Sequence, residues 1–329
     1  MIKQIFSRSL GGACLVAASA GLFAGDGWAQ SYPDKPIRMI ASSAAGGQGD
    51  TMTRVAADLL GKRLGVAVAV ENMPGAGSTI GAGFVARAPG DGYTLLHSSN
   101  QGLDIAPSSI KFNFDPDKDL TPVAQLAEAP ALIAVPTRIG INTLAEFVAR
   151  AKANPGKLTY ASSGPGSVTH FAGELFRLRA GIDLLHVPYK GSSAGLTDAI
   201  GGRIDIVILG PGSVQGPQKA GQIQGLVLMA HRRSPALPEL PTTVELGYPD
   251  AVLLTFYGVF APGTTPQPIL QKLAQALGEV GRSPEYKAAA VDKLGNEINV
   301  KLLDEFKDYL RKEKILWYGV AKDAGMKFE

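Results

Sequence analysis

The sequence predicts an α/β fold divided into two lobes. Residues 158–209 alternate short apolar segments, glycine- and serine-rich turns and amphipathic stretches in the order strand, loop, helix, strand, loop, helix, strand. This order is typical of a parallel sheet, since the connection between two parallel strands has to return along the sheet, usually as a helix. Residues 37–64 begin with the same strand, glycine loop and helix. The long apolar segments 121–136 and 252–261 are predicted strands that cross between the lobes.

The individual elements follow from periodicity and from capping residues. Phe171, Leu175 and Leu178 recur at helical spacing, and Gly181 stands just past the end of that helix. Strands are predicted, in chain order, at residues 37–41, 66–70, 93–97, 121–136, 158–162, 184–189, 204–209, 225–230 and 252–261. Further helices are predicted at residues 51–64, 78–88, 143–153, 195–200 and 302–320, and at Pro266 and Pro284, because proline suits a first helical turn.

The two crossings divide the chain into lobes. The first lobe is discontinuous and takes residues 30–131 and 255–329, whereas the second takes residues 132–254. A hinge of two strands allows such lobes to close on a ligand, and a cleft between lobes is a favoured ligand site. The strand ends should bring four segments around this cleft, namely residues 42–50, 97–101, 162–170 and 189–193.

Two consecutive glycine-rich turns, at residues 163–167 and 190–193, each lead into a predicted helix. The N–H groups of a first helical turn have no partner inside the helix and carry partial positive charge, so they suit an anion. Gly164 and Gly166 would let a ligand oxygen approach the backbone with no Cβ in the way. Ordinary turns between a strand and a helix also need Gly and Ser, so an anion site and a plain turn both remain open at this point.

Residues 1–29 are predicted to be a secretory signal peptide, which implies a periplasmic protein. Lys3 and Arg8 make a basic start, an apolar run of small residues follows, and Gly27 and Ala29 supply the small side chains that a cleavage site needs. No later segment is long and apolar enough to suggest a membrane span.

Composition excludes several other classes. The formal net charge is +3 over 329 residues, with no basic run, so nucleic acid is not an expected partner. The only cysteine, Cys14, lies in the predicted signal peptide, which leaves the mature chain without disulfides or thiolate chemistry. His97, His170 and His186 match no metal-binding spacing. We therefore expect no metal, no cofactor and no catalytic residues, and we expect a monomer.

Several ordered motifs together resemble one family. They are YPDKPIRMI from Tyr32, GGQGD from Gly46, ENMPGAGSTIGA from Glu71, DGYTLL from Asp91, GKLTYASSGPGSVTHFAGELF from Gly156, HVPYKGSSAGLTDAIGG from His186 and RRSPALPELPTTVELG from Arg232. Over nearly all of residues 32–329 the chain resembles the Bug (TctC-like) extracytoplasmic solute receptors of tripartite tricarboxylate transporters. The resemblance implies a two-lobed periplasmic binding protein, type II-like and closing as a Venus flytrap, that delivers a small organic carboxylate to membrane permease subunits.

The resemblance also implies where the ligand binds. In that family the loops matching residues 42–50 and 162–170 hold ligand carboxylates, largely through backbone N–H groups and bridging waters. Here these loops contain no Arg or Lys, so oriented amides and hydroxyls would hold the anion. The predicted ligand-binding residues are Ser42, Ser43, Gly46, Gly47, Asp50, Ser98, Ser99, Asn100, Ser163, Gly164, Gly166, Ser167, Thr169, His170, Tyr189, Lys190 and Gly191.

Two departures from the family pattern concern the ligand. The family's first loop usually reads Val-Pro-Phe before its small residues, where this chain has Ala-Ser-Ser at residues 41–43. Ser42 and Ser43 should therefore open the pocket and add two hydroxyls. Further along, the family often has Phe-Asp-Asn where this chain has Ile-Leu-Gly at residues 208–210, so a polar pair becomes apolar.

Other functions remain open at the level of sequence. Residues 191–195 fit the G-x-S-x-G pattern between a strand and a helix, which an exported hydrolase would need, with His231 as the only later histidine for a triad. A ligand sensor that docks on a receptor kinase would use the same fold as a transport receptor. The ligand could be a dicarboxylate or tricarboxylate, an aromatic carboxylate, or an amino or nicotinic acid.

Overall fold

A computed structural model of the chain describes residues 32–100, 103, 112–235 and 237–326. The predicted signal peptide, residues 1–29, and Cys14 lie outside these residues. The strands are β1 (Ile37–Ala41), β2 (Val68–Asn72), β3 (Thr94–Ser98), β4 (Leu120–Pro136), β5 (Thr159–Ser162), β6 (Leu185–Pro188), β7 (Ile206–Leu209), β8 (Ile223–Met229), β9 (Leu254–Pro262) and β10 (Glu297–Leu302). The helices are α1 (Gln48–Leu64), α2 (Thr79–Ala86), α3 (Pro116–Asp119), α4 (Leu144–Ala153), α5 (Val168–Ala180), α6 (Ser192–Ile200), α7 (Pro211–Lys219), α8 (Gln267–Gly281), α9 (Pro284–Lys287) and α10 (Leu303–Asp323).

Strand β4 is shared by two groups of strands. The order across the sheet is β2-β1-β3-β9-β4-β7-β5-β6, and β8 and β10 also pair with β4. The first part of β4, from Leu120 to Pro130, pairs with β9, whereas its last part, from Ala131 to Pro136, pairs with β7 and β8. We call β1, β2, β3, β9, β10 and the start of β4 half-sheet 1, and β5 to β8 with the end of β4 half-sheet 2. Strands β1 to β3 are parallel, as are β5 to β7.

The chain crosses between the half-sheets at the predicted segments. One crossing is β4 itself. The other lies just before β9, where the Leu253 N–H donates to the Met229 carbonyl of β8 while its own carbonyl accepts from the Ala131 N–H. The α/β class with two crossings is therefore confirmed.

Local signals place the helices as the sequence predicts. Ser167 caps α5 by accepting from the His170 N–H, and Gly181 follows it in the left-handed region with φ 60°. Helix α1 ends in the same way at Gly65, which has φ 72°. Such left-handed ends favour glycine because a Cβ would crowd the backbone there.

Three elements were not predicted, namely α3, α7 and β10. Helix α7 contains Pro211 at its first turn, Gly212 and Gly216, and a second proline, Pro217, in its interior. Proline and glycine are the weakest formers of helix interiors, so packing rather than propensity holds this helix.

Each half-sheet has its own apolar core, and α10 reaches both. Near its start, Phe306 packs against Phe256 of β9 at 5.4 Å between ring centres. Further along, Trp317 lies edge-on to Phe171 of α5 at 5.7 Å and is fully buried in the core of half-sheet 2. From Pro33 onward the described chain forms one compact unit. The division into lobes at residues 131–132 and 254–255 stays a prediction. The end of α10, which that division assigns to the first lobe, packs on the core of half-sheet 2.

Candidate ligand-binding site

A cavity of about 570 Å³ lies at the carboxyl ends of parallel strands from both half-sheets. Ser42 and Ser98 stand at the ends of β1 and β3, and Ser163 and Leu209 at the ends of β5 and β7. Residues of β4 and β9 complete its wall. Ligands of open α/β sheets bind outside the carboxyl ends of strands, so this cavity is the candidate site. A second cavity of about 300 Å³ beside α10 shares no lining residue with it.

Five helices in the described part of the chain begin at this cavity. Residues of their N-caps and first turns line it: Gly47, Gln48 and Gly49 of α1, Ser78 of α2, Val168 and Thr169 of α5, Ser192 and Ser193 of α6, and Gly210 and Ser213 of α7. The N-cap residues of α1, α2, α6 and α7 make no side-chain cap. Their first turns therefore offer backbone donors and partial positive charge to a ligand.

The described residues that line the cavity include no Arg, Lys, Asp or Glu. Hydroxyl side chains predominate instead, namely Ser42, Ser43, Ser78, Ser98, Ser99, Ser163, Thr169, Ser192, Ser193, Ser213 and Thr255. An anion in this cavity would be held by amide and hydroxyl donors. Each charge-assisted hydrogen bond of this kind contributes on the order of 1.5–3 kcal/mol.

The structure brings together about half of the predicted binding residues. Those that line the cavity are Ser42, Ser43, Gly46, Gly47, Ser98, Ser99, Ser163 and Thr169. Leu209 and Gly210, where the chain departs from the family pattern, also line it, so this departure does fall at the site. The other predicted residues lie behind the wall, and their contacts indicate supporting roles.

Asp50 stabilises the loop between β1 and α1, residues 42–47, through hydrogen bonds. Its side chain is buried and accepts from the Gly46 N–H at 2.9 Å, from Asn72 Nδ2 at 2.8 Å and from Arg54 Nε at 3.1 Å. Burial alone would raise the pKa of Asp50, but these hydrogen bonds and the charge of Arg54 hold it below its ordinary value. Asn72 also donates to the Ser43 carbonyl, so the carboxylate fixes both ends of the loop. The Gly46 N–H is consequently used inside the loop.

We expect Asp50→Asn to weaken carboxylate binding by about tenfold and to lower the free energy of unfolding by about 2 kcal/mol, since it removes a charged acceptor from three donors. Calorimetric titration and urea unfolding measure the two effects. Asp58→Asn is the matched control, because Asp58 lies on the same helix but forms only an exposed ion pair with Lys62. Equal behaviour of the two variants would contradict the supporting role of Asp50.

The second loop is also held by internal hydrogen bonds. The Gly166 N–H donates to His170 Nδ1 at 3.1 Å, and Ser167 caps α5, so neither residue reaches the cavity. Gly164 has φ 126°, which makes it a structural requirement of the turn. His170 stacks on His186 with ring centres 4.0 Å apart. Burial, followed by the neighbouring His186, lowers the pKa of His170 to about 4, so the ring is neutral at pH 7.

The remaining predicted residues lie outside the cavity wall. Asn100 is buried and donates to the Leu254 carbonyl, which ties the end of β3 to the crossing. Tyr189 donates to Asp198 at 2.8 Å. Lys190 is exposed, and Gly191 is the N-cap of α6 immediately before the lining residue Ser192.

Sequence reasoning did not name several residues of the wall. The segments that were predicted to surround the cleft contain six of them: Gln48, Gly49, His97, Val168, Ser192 and Ser193. Others carried no usable signal: Ser78, Ala129, Pro130, Ala131, Ala172, Ser213, Thr255 and Tyr257. Ser78 is one of two non-glycine residues in the described chain with positive φ, at 74°. Such backbone strain clusters at ligand sites.

His97 is the one histidine in the described part of the wall. Its side chain is 2% exposed, its Nδ1 lies 2.9 Å from Thr53 Oγ1, and its Nε2 is buried without a hydrogen-bond partner among the described residues. Burial lowers the pKa of His97 to about 4, so the imidazole is neutral at pH 7 and adds no charge to the cavity.

Two α/β half-sheets are joined by crossing strands, and at their strand ends lies a donor-rich cavity with no charged side chain among its described lining residues. These features are typical of a solute-binding protein. Residues 52–304 match the tripartite tricarboxylate transporter family receptor, which is more than half of the chain. The chain therefore belongs to that family of receptors, and its resemblance to the Bug proteins is confirmed.

Known proteins of this kind are similar over most of their length. Protein BugT of Bordetella pertussis (strain Tohama I) is 32% identical over 306 residues, which cover 92% of this chain and 93% of BugT. The structure of the periplasmic binding protein BugD superposes with a TM-score of 0.77 at 30% identity, covering 91% of this chain and 100% of BugD. The structure of Rpa4515 from R. palustris with adipate has a TM-score of 0.80 at 28% identity, with coverage of 91% and 100%.

Proposed function

We propose that this chain captures a small organic carboxylate in the periplasm, without turning it over, and passes it to the permease subunits of a tripartite transporter. The observation that carries the proposal concerns the described residues: five helix N-termini converge on a cavity whose described lining is rich in hydroxyls and contains no charged side chain. Adipate, which is bound in the similar protein Rpa4515, is the first probe to test. The chain acts as a monomer in this proposal.

Export is part of the same proposal. Residues 1–29 direct the chain across the inner membrane and are then removed. Among the helices of the described residues, none combines the length and apolar character that a membrane span requires.

A hydrolytic function has one observation in its favour, because Ser193 of the G-x-S-x-G turn lines the cavity. Nucleophilic catalysis needs a base within hydrogen-bonding distance of the serine. Among the described residues, His186 Nε2 forms a hydrogen bond with Ser162 Oγ at 2.6 Å rather than with Ser193. His231 is an exposed residue. The carboxylate of Asp198, a candidate acid for a triad, accepts hydrogen bonds from Tyr189 and Arg203. We therefore favour binding without turnover over hydrolysis.

Ligand binding is proposed to close the lobes, residues 30–131 with 255–329 against residues 132–254. Closure would bend the chain at the crossings in β4 and just before β9. Because Trp317 of α10 is packed in the core of half-sheet 2, α10 either bends or moves with that half-sheet.

A thermal-shift screen of carboxylates, followed by small-angle scattering, tests binding and closure together. We expect at least one dicarboxylate to raise the melting temperature, because a ligand that binds only the folded state stabilises it. The same acid at saturation should reduce the radius of gyration. Product formation from that acid by the purified protein would contradict the proposal, and an unchanged radius would contradict the closure.

A further inference from the structure

The protonation of His97 is fixed by a chain of two hydrogen bonds. Thr53 Oγ1 donates its single proton to the Gly49 carbonyl at 2.8 Å. The same oxygen lies 2.9 Å from His97 Nδ1. The hydroxyl has a single proton, so both contacts are hydrogen bonds at once only when Thr53 accepts from His97 Nδ1. A neutral His97 therefore carries its proton on Nδ1 and presents a bare lone pair at Nε2.

That lone pair is an unusual feature of a buried wall. His97 is 2% exposed and Thr53 is fully buried, so water does not surround the pair. The ring of Tyr257 lies nearly parallel at 6.3 Å between centres, yet no described residue donates to Nε2. Roughly nine in ten buried polar atoms in folded proteins have a hydrogen-bond partner, and each exception calls for an explanation. Nε2 itself is covered in this structure, but His97 is one of the residues that line the ligand cavity, so a ligand that rearranges this part of the wall can supply the missing donor.

We infer that His97 selects carboxylates that also carry a hydrogen-bond donor, a hydroxyl or N–H group, beside the acid. This inference rests on the proposed function. The carboxylate meets the amide and hydroxyl donors of the helix N-termini, and the additional donor group of the ligand meets His97 Nε2. A carboxylate oxygen at Nε2 would place lone pair against lone pair, so a second acid group does not fit this position. His97 therefore acts as a specificity-determining residue.

Matched pairs of acids test the inference by calorimetry at pH 7.5: succinate with malate, glutarate with 2-hydroxyglutarate, and adipate with 2-hydroxyadipate. In the pair whose length fits the cavity, we expect the hydroxy acid to bind about tenfold more tightly, which corresponds to about 1.4 kcal/mol. Equal affinity within that pair would overturn the inference and leave the proposed function intact. Failure of all six acids to bind would count against the proposed function and this inference together.

Two variants test whether His97 and its partner Thr53 cause the preference for the hydroxy acid. His97→Phe should lose the tenfold preference for the hydroxy acid over its unsubstituted partner, whatever its affinity for either acid. Thr53→Val removes the acceptor of the Nδ1 proton, so the proton can move to Nε2 and the preference should vanish or reverse. Thr51→Val is the matched control, since Thr51 makes the same kind of bond to the Gly47 carbonyl on the same helix without touching His97. A preference that survives in His97→Phe would overturn the inference.

Nitrogen-15 NMR of the histidines separates this inference from the proposed function, because it needs no ligand. In the wild-type protein we expect His97 Nδ1 to be protonated and Nε2 to be bare. On addition of the hydroxy acid, the Nε2 resonance should shift in the direction of hydrogen-bond acceptance. A ligand-free protein with the proton on Nε2 would overturn the inference whatever the protein binds.

Discussion

Replacing Ser192 by proline is expected to weaken carboxylate binding about tenfold to a hundredfold. Ser192 is the first residue of α6 and lines the cavity. Proline suits this helical position but has no N–H group, so the substitution removes one backbone donor and keeps the helix. Its preceding residue, Gly191, has ψ 156°, which is compatible with a following proline. The expected loss follows from about 1.5–3 kcal/mol for a hydrogen bond to a charged group.

Ser192→Ala is the matched control for this prediction. It removes the hydroxyl and retains the backbone N–H, so the difference between the two variants isolates the backbone donor. Calorimetric titration of both proteins with the acid identified by thermal shift provides the comparison. Urea unfolding shows whether the proline variant is folded to the same extent. If the two variants bind that acid with affinities within twofold of each other, the N-terminus of α6 does not hold the anion.

Lowering the pH from 7.5 to 4 is expected to destabilise the folded protein. The pKa of His97 falls from 6.5 to about 4 on burial, and that of His170 also falls to about 4. A lowered folded-state pKa means that the unfolded chain takes up protons first, so the stabilisation is complete above pH 6.5 and is lost as the pH falls toward 4. For His97 alone this amounts to as much as about 3 kcal/mol.

The pH effect can be assigned by substitution. Urea unfolding of wild type and His97→Gln between pH 7.5 and 4 should show a smaller loss of stability in the variant, by up to about 3 kcal/mol at pH 4. His231→Gln is the control, because His231 is an exposed residue. A His97→Gln protein whose stability falls as steeply as that of wild type would show that His97 does not oppose protonation.

The sequence predicted the strands, turns and helices around the site, because these elements depend on residue spacing and on capping residues. The strand, glycine turn and helix of residues 158–181 can be read from spacing and caps, and Ser163 and Thr169 line the cavity as predicted. Asp50, Gly166 and Ser167 lie in the predicted ligand loops, but their hydrogen bonds are made within these loops. These contacts depend on the backbone conformation, which the composition of a loop does not reveal.

The rest of the wall depends on tertiary structure. Thr255 and Tyr257 stand on a crossing strand whose residues are mostly apolar on both faces, so the pattern does not indicate which face meets the cavity. Helix α7 was missed because its prolines and glycines argue against a helix, and Gly210 and Ser213 were missed as site residues with it. The role of His97 follows from a hydroxyl 44 positions away in sequence, which no local signal connects to it.

The central claim is that this cavity holds a carboxylate with neutral donors alone. The most direct measurement is a calorimetric comparison of a dicarboxylate, adipate or the acid identified by thermal shift, with its neutral diamide of the same length. We expect the acid to bind at least a hundredfold more tightly, because the converging helix N-termini favour negative charge and the amide loses two charge-assisted interactions. A diamide that binds as tightly as the acid would contradict the claim.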